Sequence, residues 1–385
     1  MKHMTDNDNG KRQLRILLLG EYSNVHNTLA QGLRSLGHEV TVASNGDFWK
    51  DYPRDIDLAR APGKLGGIRL MAKVYGCLPR WRGYDVVQLI NPMFLELKAE
   101  RIAPIYRYLR RHNRTMVLCA MGMDYYWVHE NINRKPLRYS DFNFGHQLRT
   151  DPTALRDRDD WTDTHKGRLN QMIAHDCDAI VATPYENYAC YQPCFPGKTL
   201  HIPFPIIPAK TTPHTDTMGP VKLFIGISRG RSAYKGTDIM LRAAEDVARQ
   251  YPDRLVLQIA EGLPFDEYKQ MMDGSDAIMD QLYSYTPAMN ALLAMSKGIV
   301  VIGGGEPENY EILGETELRP IINVLPDYDS VRHELEQLVL HPERLPLLKR
   351  QSQEYILRHH DYVKVAQQYE ELYLRSERLR GVKGE

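Results

Sequence analysis

The sequence lacks both a net charge and any long hydrophobic run. Its 49 Lys and Arg residues balance 49 Asp and Glu residues, so the chain as a whole exerts no electrostatic pull on nucleic acid. Any anionic ligand must therefore be held by a local group of cations. No stretch reaches the roughly 18 apolar residues that a bilayer-spanning helix requires.

Cysteine is scarce, and the N-terminus has no targeting pattern. The odd number of cysteines and their positions in apolar runs predict free thiols in a reducing compartment: these are Cys77, Cys119, Cys177, Cys190 and Cys194. Residues 1–13 are polar and have no signal-peptide core, so we expect a disordered leader there. Together these features predict a cytoplasmic protein.

Two common nucleotide-binding motifs are also missing, and the Asp-x-Asp pairs do not stand where a metal-binding pair is expected. The loop after the first predicted strand, residues 20–27, does not contain G-x-G-x-x-G, which argues against a dinucleotide-dependent dehydrogenase. There is no P-loop, which argues against a P-loop kinase or ATPase. The Asp-x-Asp pairs at 55/57, 157/159 and 327/329 do not follow apolar strands, so we predict neither a metal site nor a cofactor.

The first half of the chain alternates predicted strands and helices. Residues 14–20 form an apolar run typical of a buried parallel strand. Leucines about one turn apart then predict a helix that ends at Gly37. The strand at 39–44 completes a βαβ unit. Further strands are predicted at 84–91, 115–120, 177–183 and 199–202.

Prolines crowd residues 203–220, and we predict a linker at 206–220. The alternation then restarts, with strands predicted at 221–227, 255–260, 299–302 and 320–324 and a short strand that begins at 277–279. The fold class is therefore predicted to be α/β, with two Rossmann-like, doubly wound lobes at 14–205 and 221–360. Ligands of such sheets lie outside the carboxyl ends of the strands, so we expect both lobes to face a cleft between them.

A basic, glycine-broken loop lies between the first strand and the first helix of the second lobe. It carries Arg229, Arg231 and Lys235 and ends at Gly236. Cations at a helix N-terminus suit a diphosphate, because the helix dipole and free N–H groups also attract anions. The alternative from spacing alone is an ordinary solvated loop.

This loop resembles the donor-site signature of the retaining GT-B glycosyltransferases of the family-four, or group 1, type. In that family a Gly-Arg-x-x-x-x-Lys-Gly segment opens the second lobe, and its Arg and Lys hold the donor diphosphate. Lys235-Gly236 matches this segment, whereas Arg229 and Arg231 straddle the usual Arg position. The resemblance continues in order through 275–282 and 293–302, and it implies a last helix, 361–385, that crosses back to the first lobe.

The donor loop departs from the family pattern. Two Glu residues of the family contact the sugar and the ribose, and the matching positions here are Tyr285 and Leu293. We hypothesise that Glu306 or Glu308, which follow three glycines, takes over one of these roles; the alternative is a surface turn that caps the next helix. The candidate donor-binding residues are Arg229, Arg231, Lys235, Gly236, Asp280, Tyr285, Gly304, Gly305, Glu306, Glu308 and Asn309.

In the first lobe, the family places acceptor-binding and catalytic groups after the first and fourth strands. The matching loops contain His26 and Asp124, which are our catalytic candidates. A lone His or Asp at such a position also fits a structural or capping role.

Residues 64–82 mix apolar side chains with five cations and no acid. This composition resembles an interfacial element attracted to anionic lipid, which would make the protein peripheral at the inner membrane face. The alternatives are a wall of the site for a lipid-linked acceptor and a helix with ordinary surface charges.

The resemblance implies a metal-independent, retaining hexosyltransferase of polysaccharide biosynthesis. Its substrates would be a UDP- or GDP-linked sugar and a glycan or lipid-linked acceptor. Two alternatives stay open: a donor-binding homologue without activity that acts as a scaffold or regulator, and a nucleotide-sugar epimerase of the same fold.

Overall fold

The computed structural model describes residues 12–211, 219–227, 230, 232–263 and 265–381. Within this part, the chain forms two compact units: the first comprises 12–136, 155–205 and 362–381, and the second comprises 137–154 and the described residues of 206–361. The predicted leader up to residue 11, residues 212–218 of the predicted linker and residues 382–385 lie outside the described residues.

Helices and strands alternate up to residue 201. In chain order they are β1 (Arg15–Leu19), α1 (Val25–Ser35), β2 (Glu39–Ser44), β3 (Ile56–Asp57), α2 (Gly66–Cys77), β4 (Val86–Leu89), α3 (Ala99–His112), β5 (Thr115–Ala120), α4 (Tyr125–Asn133), β6 (Asn143–Phe144), β7 (Gln147–Leu148), α5 (Pro152–Trp161), α6 (His165–Asp176), β8 (Ala179–Ala182), α7 (Tyr185–Tyr191) and β9 (Thr199–His201).

The alternation resumes at residue 221. The elements are β10 (Val221–Ile227), α8 (Ser232–Lys235), α9 (Thr237–Gln250), β11 (Leu255–Glu261), α10 (Phe265–Asp273), β12 (Ala277–Met279), α11 (Met289–Ser296), β13 (Val300–Gly303), α12 (Pro307–Leu313), β14 (Ile322–Asn323), α13 (Tyr328–Leu340), α14 (Leu345–Tyr355) and α15 (Tyr362–Gly381). The last two helices are separated by a π-helical turn, Ile356–His360.

The first unit is built on a parallel sheet in the order β3-β2-β1-β4-β5-β8-β9. β1 pairs with both β2 and β4, so that Ile16 lies between Val40 and Val86. The strands β4, β5 and β8 are buried along their whole length, as expected for a sheet with helices on both faces. The predicted α/β class with parallel sheets is confirmed.

The last helix belongs to the core of the first unit. Val365, Ala366 and Tyr369 of α15 are fully buried in the same hydrophobic cluster as β1 and α1. Gly32 makes this packing possible, since a Cβ there would lie 2.4 Å from the Tyr362 carbonyl oxygen and 2.7 Å from the Ala366 Cβ. α1 and α15 therefore pack more closely than a side chain at this position would permit.

The second unit has a smaller parallel sheet in the order β11-β10-β12-β13-β14. Its core packs α9 and α13 against one face through Met240, Val247, Val331 and Leu335. Strand order reverses between β10 and β12, since β11 lies on one side of β10 and the later strands lie on the other. This reversal places the loops after β10 and β12 next to each other.

One segment lies in a different unit from the one that the sequence predicts. Residues 137–154 fall within the predicted first lobe, yet they pack in the second unit, where they form the short antiparallel hairpin β6–β7. The sequence of this segment shows no helix or strand period. Its place in the second unit follows from contacts with residues far along the chain. We call residues 137–154 the strap.

Candidate functional site

The reversal of strand order in the second sheet brings a lysine and an aspartate together. Lys235 ends α8, and Asp280 directly follows β12. The positive charge of Lys235 opposes the effect of burial, which raises the pKa of Asp280 above its ordinary value. The two sequence candidates therefore interact electrostatically. Arg229 and Arg231 lie outside the described residues.

Gly236 lets the lysine turn approach the loop after β12. Its φ of +72° is in the left-handed region, and a Cβ there would lie 2.6 Å from the Leu282 Cβ. The backbone N–H of Leu282 donates to the Lys235 carbonyl oxygen at 2.9 Å. The Lys-Gly pair thus fixes both the start of α9 and the position of the neighbouring loop.

The Asp280 carboxylate is held at the start of α11. Its Oδ2 accepts a hydrogen bond from the Ala288 backbone N–H at 3.3 Å, and the side chain is almost completely buried. Tyr268 lies against the end of the neighbouring strand β10. A Cβ on Gly226 of this strand would be 2.7 Å from the Tyr268 hydroxyl oxygen. Asn290 of α11 donates to that hydroxyl at 2.7 Å. Sequence reasoning missed Tyr268 and Asn290.

The glycines after β13 allow this loop to pack closely against its neighbours. A Cβ on Gly304 would lie 2.2 Å from the Ser284 carbonyl oxygen, and one on Gly305 would lie 2.8 Å from Ile321 Cγ2. Glu306 N–H donates to the Tyr285 carbonyl oxygen at 3.2 Å. The loops after β12 and β13 therefore form one packed layer at the carboxyl edge of the sheet.

Glu306 is enclosed by the strap. Its Oε1 accepts from the Tyr139 hydroxyl at 2.6 Å, and its Oε2 accepts from Arg138 at 2.7 Å. Arg138 also forms a forked contact with both carboxylate oxygens of Glu308. Both Glu306 oxygens are thus engaged inside the unit, whereas the Glu308 side chain stays 20% exposed.

Tyr285 joins the same network at the position where the family has its first Glu. Its hydroxyl accepts from the Arg138 backbone N–H at 2.7 Å, and its ring lies 4.8 Å from the Tyr139 ring. The Arg138 guanidinium lies 5.0 Å from the Tyr285 ring centroid. Asn309 points elsewhere and donates to the buried Tyr355 hydroxyl at 3.1 Å, which favours a structural role.

The hairpin of the strap contacts the loop after β12 a second time. Arg149 lies 4.5 Å from the Tyr283 ring centroid, and the Phe144 ring lies 5.4 Å from it. Tyr283 in turn packs against Gly236. The strap is therefore linked through Tyr283 to the Lys-Gly turn. In the sequence, this segment shows only three aromatic residues within six positions, at 139, 142 and 144.

His26 is a neutral, buried residue of the first unit. Its Nδ1 lies 2.8 Å from the Gly20 carbonyl oxygen, and Gln88 lies 3.2 Å from its Nε2. Burial lowers the pKa of His26 to about 3. Gln88 is fixed by the Tyr373 hydroxyl of α15 at 2.7 Å. Both ring nitrogens are thus engaged, which favours a structural role.

Asp124 caps α4. Its Oδ1 accepts from the Trp127 N–H at 2.8 Å, and its Oδ2 accepts from the Tyr191 hydroxyl at 2.8 Å. Burial raises the pKa of Asp124 to about 7. The residue lies after β5, as predicted, but its oxygens are occupied inside the unit, which is the arrangement of an N-cap.

Glu21, in the loop before α1, is a second carboxyl group that caps a helix. It accepts from the backbone N–H groups of His26 at 3.1 Å and Asn27 at 2.8 Å. Burial raises its pKa to about 8.

The described residues contain no group of three or more His, Cys, Asp or Glu side chains arranged to hold a metal ion. The Asp-x-Asp pairs have other partners. Asp55 pairs with Arg34, Asp57 with Arg54, and Asp327 caps α13. In the described part of the chain, no helix is both long enough and apolar enough to cross a bilayer.

Comparison with known proteins identifies the fold but not a sequence family. No protein-family model and no curated protein sequence matches the chain. The chain is similar to HepE of Anabaena in complex with UDP and glucose, with 14% identity and a TM-score of 0.57 over 93% of this chain and 99% of HepE. It is also similar to sucrose-phosphate synthase from Thermosynechococcus elongatus, with 13% identity and a TM-score of 0.59 over 94% of this chain and 98% of that enzyme.

A third similar structure belongs to another class of enzyme. UDP-GlcNAc 2-epimerase from Neisseria meningitidis, bound to UDP-GlcNAc, has 11% identity and a TM-score of 0.51 over 94% of this chain and 100% of the epimerase. The protein therefore has the GT-B fold, in which transferases and epimerases both occur.

Proposed function

We propose that the protein is a glycosyltransferase that moves a sugar from a UDP- or GDP-linked donor to a hydroxyl group of a glycan or lipid-linked acceptor. The observation that carries the proposal is the placement of Lys235 at the strand-order reversal of the second sheet, where α9 begins. The GT-B fold of HepE and sucrose-phosphate synthase supports it. The proposed setting is the cytoplasmic side of polysaccharide biosynthesis.

In the proposed reaction, the acceptor oxygen bonds to the anomeric carbon as the bond from that carbon to the diphosphate breaks. The nucleoside diphosphate leaves with the bonding electrons, and the acceptor proton passes to the leaving phosphate or to water. Lys235 and the N-terminus of α9 stabilise the charge that develops on the diphosphate. Retention at the anomeric carbon and independence from metal are part of the proposal.

Of the two glutamates considered for the sugar, Glu308 is the better candidate. Glu306 is 4% exposed and has both oxygens engaged. Glu308 keeps exposed surface, and although burial raises its pKa, the hydrogen bonds and charge of Arg138 outweigh this effect and lower it below its ordinary value. Glu308 is thus a carboxylate that can accept hydrogen bonds from sugar hydroxyls.

The proposal is tested with a panel of UDP- and GDP-linked sugars, each with and without glycan and polyprenyl-phosphate-sugar acceptors. Release of the nucleoside diphosphate that depends on the acceptor, together with a new glycoside found by mass spectrometry, is the expected result. Calorimetry gives the affinity for UDP and GDP alone. A protein that binds neither nucleotide would refute the proposal.

Two other functions have specific support. An epimerase is favoured by the likeness to UDP-GlcNAc 2-epimerase, and it would convert the donor to a new sugar without acceptor, as seen by NMR. A scaffold or regulator is favoured by the engaged states of His26 and Asp124. It would bind UDP or GDP and give no turnover with any donor and acceptor.

A further inference from the structure

The helix α2 of the first unit has an apolar stripe on its outward face. Its inward face carries the buried Leu70 and Val74. Leu65, Ile68 and Tyr75 point outward and are 58%, 60% and 47% exposed, respectively. At helical spacing these three side chains lie on one face. A helix with apolar residues on both faces has more apolar surface than its own unit covers.

Cations flank this stripe, and acids are missing from the segment. Residues 64–82 contain Lys64, Arg69, Lys73, Arg80 and Arg82 but neither Asp nor Glu. At about 100° per residue, Arg69 and Lys73 lie on one side of the stripe, and Arg80 lies in the turn that follows the helix. From the neighbouring strand β3, Asp57 lies 3.9 Å from the Lys73 ammonium group.

We propose that α2 docks on an anionic bilayer surface. Its apolar stripe would lie at the boundary between headgroups and acyl chains, and its cations would lie at the lipid headgroups. Two features of the segment favour this partner: its cations complement anionic headgroups, and its apolar stripe points outward. Apolar side chains alone bind membranes weakly, whereas flanking Lys and Arg add attraction to anionic lipid. Elsewhere, exposed apolar residues such as Leu347 of α14 occur without this combination.

Cosedimentation with vesicles tests the docking surface. The full chain is mixed with vesicles of phosphatidylcholine alone or with added phosphatidylglycerol, at low and high salt. We expect binding that requires phosphatidylglycerol and weakens with salt. Ile68→Glu with Tyr75→Glu, and separately Arg69→Glu with Lys73→Glu, should each weaken binding by at least about tenfold. The matched controls Leu347→Glu and Arg350→Glu, on exposed positions of the second unit, should leave binding unchanged.

Circular dichroism establishes that the variants are folded. Wild-type protein that does not bind phosphatidylglycerol vesicles, or α2 variants that bind like the controls, would overturn the proposal. A wild-type dimer that Ile68→Glu separates in size-exclusion chromatography, without vesicle binding, would identify the stripe as a contact between two copies and would equally overturn it.

A second inference concerns the strap, and this inference rests on the proposed function. Arg138 lies between the carboxylates of Glu306, at the N-cap of α12, and Glu308, in its first turn, and it contacts Glu308 through both terminal guanidinium nitrogens. It also contacts the fully engaged Glu306 and lies over the Tyr285 ring. Glu308 therefore has its orientation imposed by a residue 170 positions away in the chain.

We infer that Arg138 is a positioning residue, which orients the Glu308 carboxylate toward the donor sugar. A forked guanidinium contact fixes both the place and the plane of a carboxylate. A lysine, which is a point charge, fixes only its place. Arg138 contacts Glu306, Glu308 and Tyr285, so we expect the diphosphate grip of Lys235 to be independent of it.

Calorimetry on Arg138→Met and Arg138→Lys tests this role with UDP and with the UDP-sugar that the donor panel selects, or with GDP and its sugar. We expect nucleotide affinity within about twofold of wild type and sugar-nucleotide affinity reduced about tenfold in Arg138→Met. Arg138→Lys should recover only part of this loss. Glu308→Gln should give a similar loss, and the double variant should lose no more than either single variant.

The control variant Arg344→Met, at an exposed arginine of the same unit, should bind the nucleotide and the sugar nucleotide with wild-type affinity. Equal losses of nucleotide and sugar-nucleotide affinity in Arg138→Met would mean a merely structural residue and would overturn the inference, as would unchanged affinity for both. If the wild type binds no nucleotide, the proposed function itself fails, and this result is distinct from either of those.

Discussion

At the scale of single residues, the structure separates polar side chains that are engaged within their unit from those that remain accessible. Glu21, His26 and Asp124 follow strands at the carboxyl edge of the first sheet, where catalytic groups are expected. Each is buried and hydrogen-bonded to neighbouring backbone or side chains. The sequence analysis placed His26 and Asp124 after predicted strands, but the hydrogen-bond partners of all three residues became visible only in the folded chain.

Replacing Lys235 by Ala should weaken nucleoside diphosphate binding. The variant removes a charge-assisted contact and leaves Asp280 without its cation, so we expect a loss of about 2–3 kcal/mol, or roughly 30- to 150-fold in Kd. Calorimetry with UDP and GDP measures it. Lys222→Ala, at an exposed lysine of β10, is the control and should bind like wild type. Unchanged affinity in Lys235→Ala would refute the phosphate role.

At the scale of elements, local pattern was sufficient for most strands and helices. The predicted bounds of β2, β5 and β10 coincide with those observed, and β12 begins where a strand was predicted to begin. Short apolar or alternating runs are sufficient to mark such strands. The hairpin β6–β7 was missed, since two-residue strands have no period to read. Element boundaries differed by a few residues where helix caps decide them.

Two glycines in helices should respond in opposite ways to the same substitution. Gly32→Ala puts a methyl group 2.4 Å from the Tyr362 carbonyl oxygen, so it should destabilise the protein by about 1–3 kcal/mol. Gly76 of α2 has open space around it, so Gly76→Ala should stabilise by about 0.5–1 kcal/mol. Urea unfolding followed by tryptophan fluorescence measures both. Similar effects of the two variants would contradict the close packing of α1 on α15.

At the scale of the whole molecule, stability should fall as the pH rises above neutrality. Burial raises the pKa of Glu21 to about 8, so the folded chain keeps a proton that the unfolded chain releases. The resulting stabilisation is complete below about pH 4.5 and is lost as the pH rises through about 8. We expect a loss of about 1 kcal/mol between about pH 7 and about pH 8.

Urea unfolding at these two pH values checks the prediction. All four tryptophans, Trp49, Trp81, Trp127 and Trp161, lie in the first unit with Glu21, so their fluorescence reports the relevant part of the molecule. Glu21→Gln removes the titrating group and should flatten this pH dependence. A wild-type stability that stays constant over this range would show that Glu21 is already ionised in the folded state.

The sequence by itself determined the α/β class, the order of the strands along the chain and the Lys235-Gly236 turn. These features are local, since apolar runs, helix periods and a short motif each span a few residues. Only the tertiary structure decided that residues 137–154 belong to the second unit and that Glu306 is enclosed while Glu308 is not. The reason is distance along the chain: Arg138 meets Glu306 and Glu308 from 168 and 170 positions away, and no local pattern encodes such a contact.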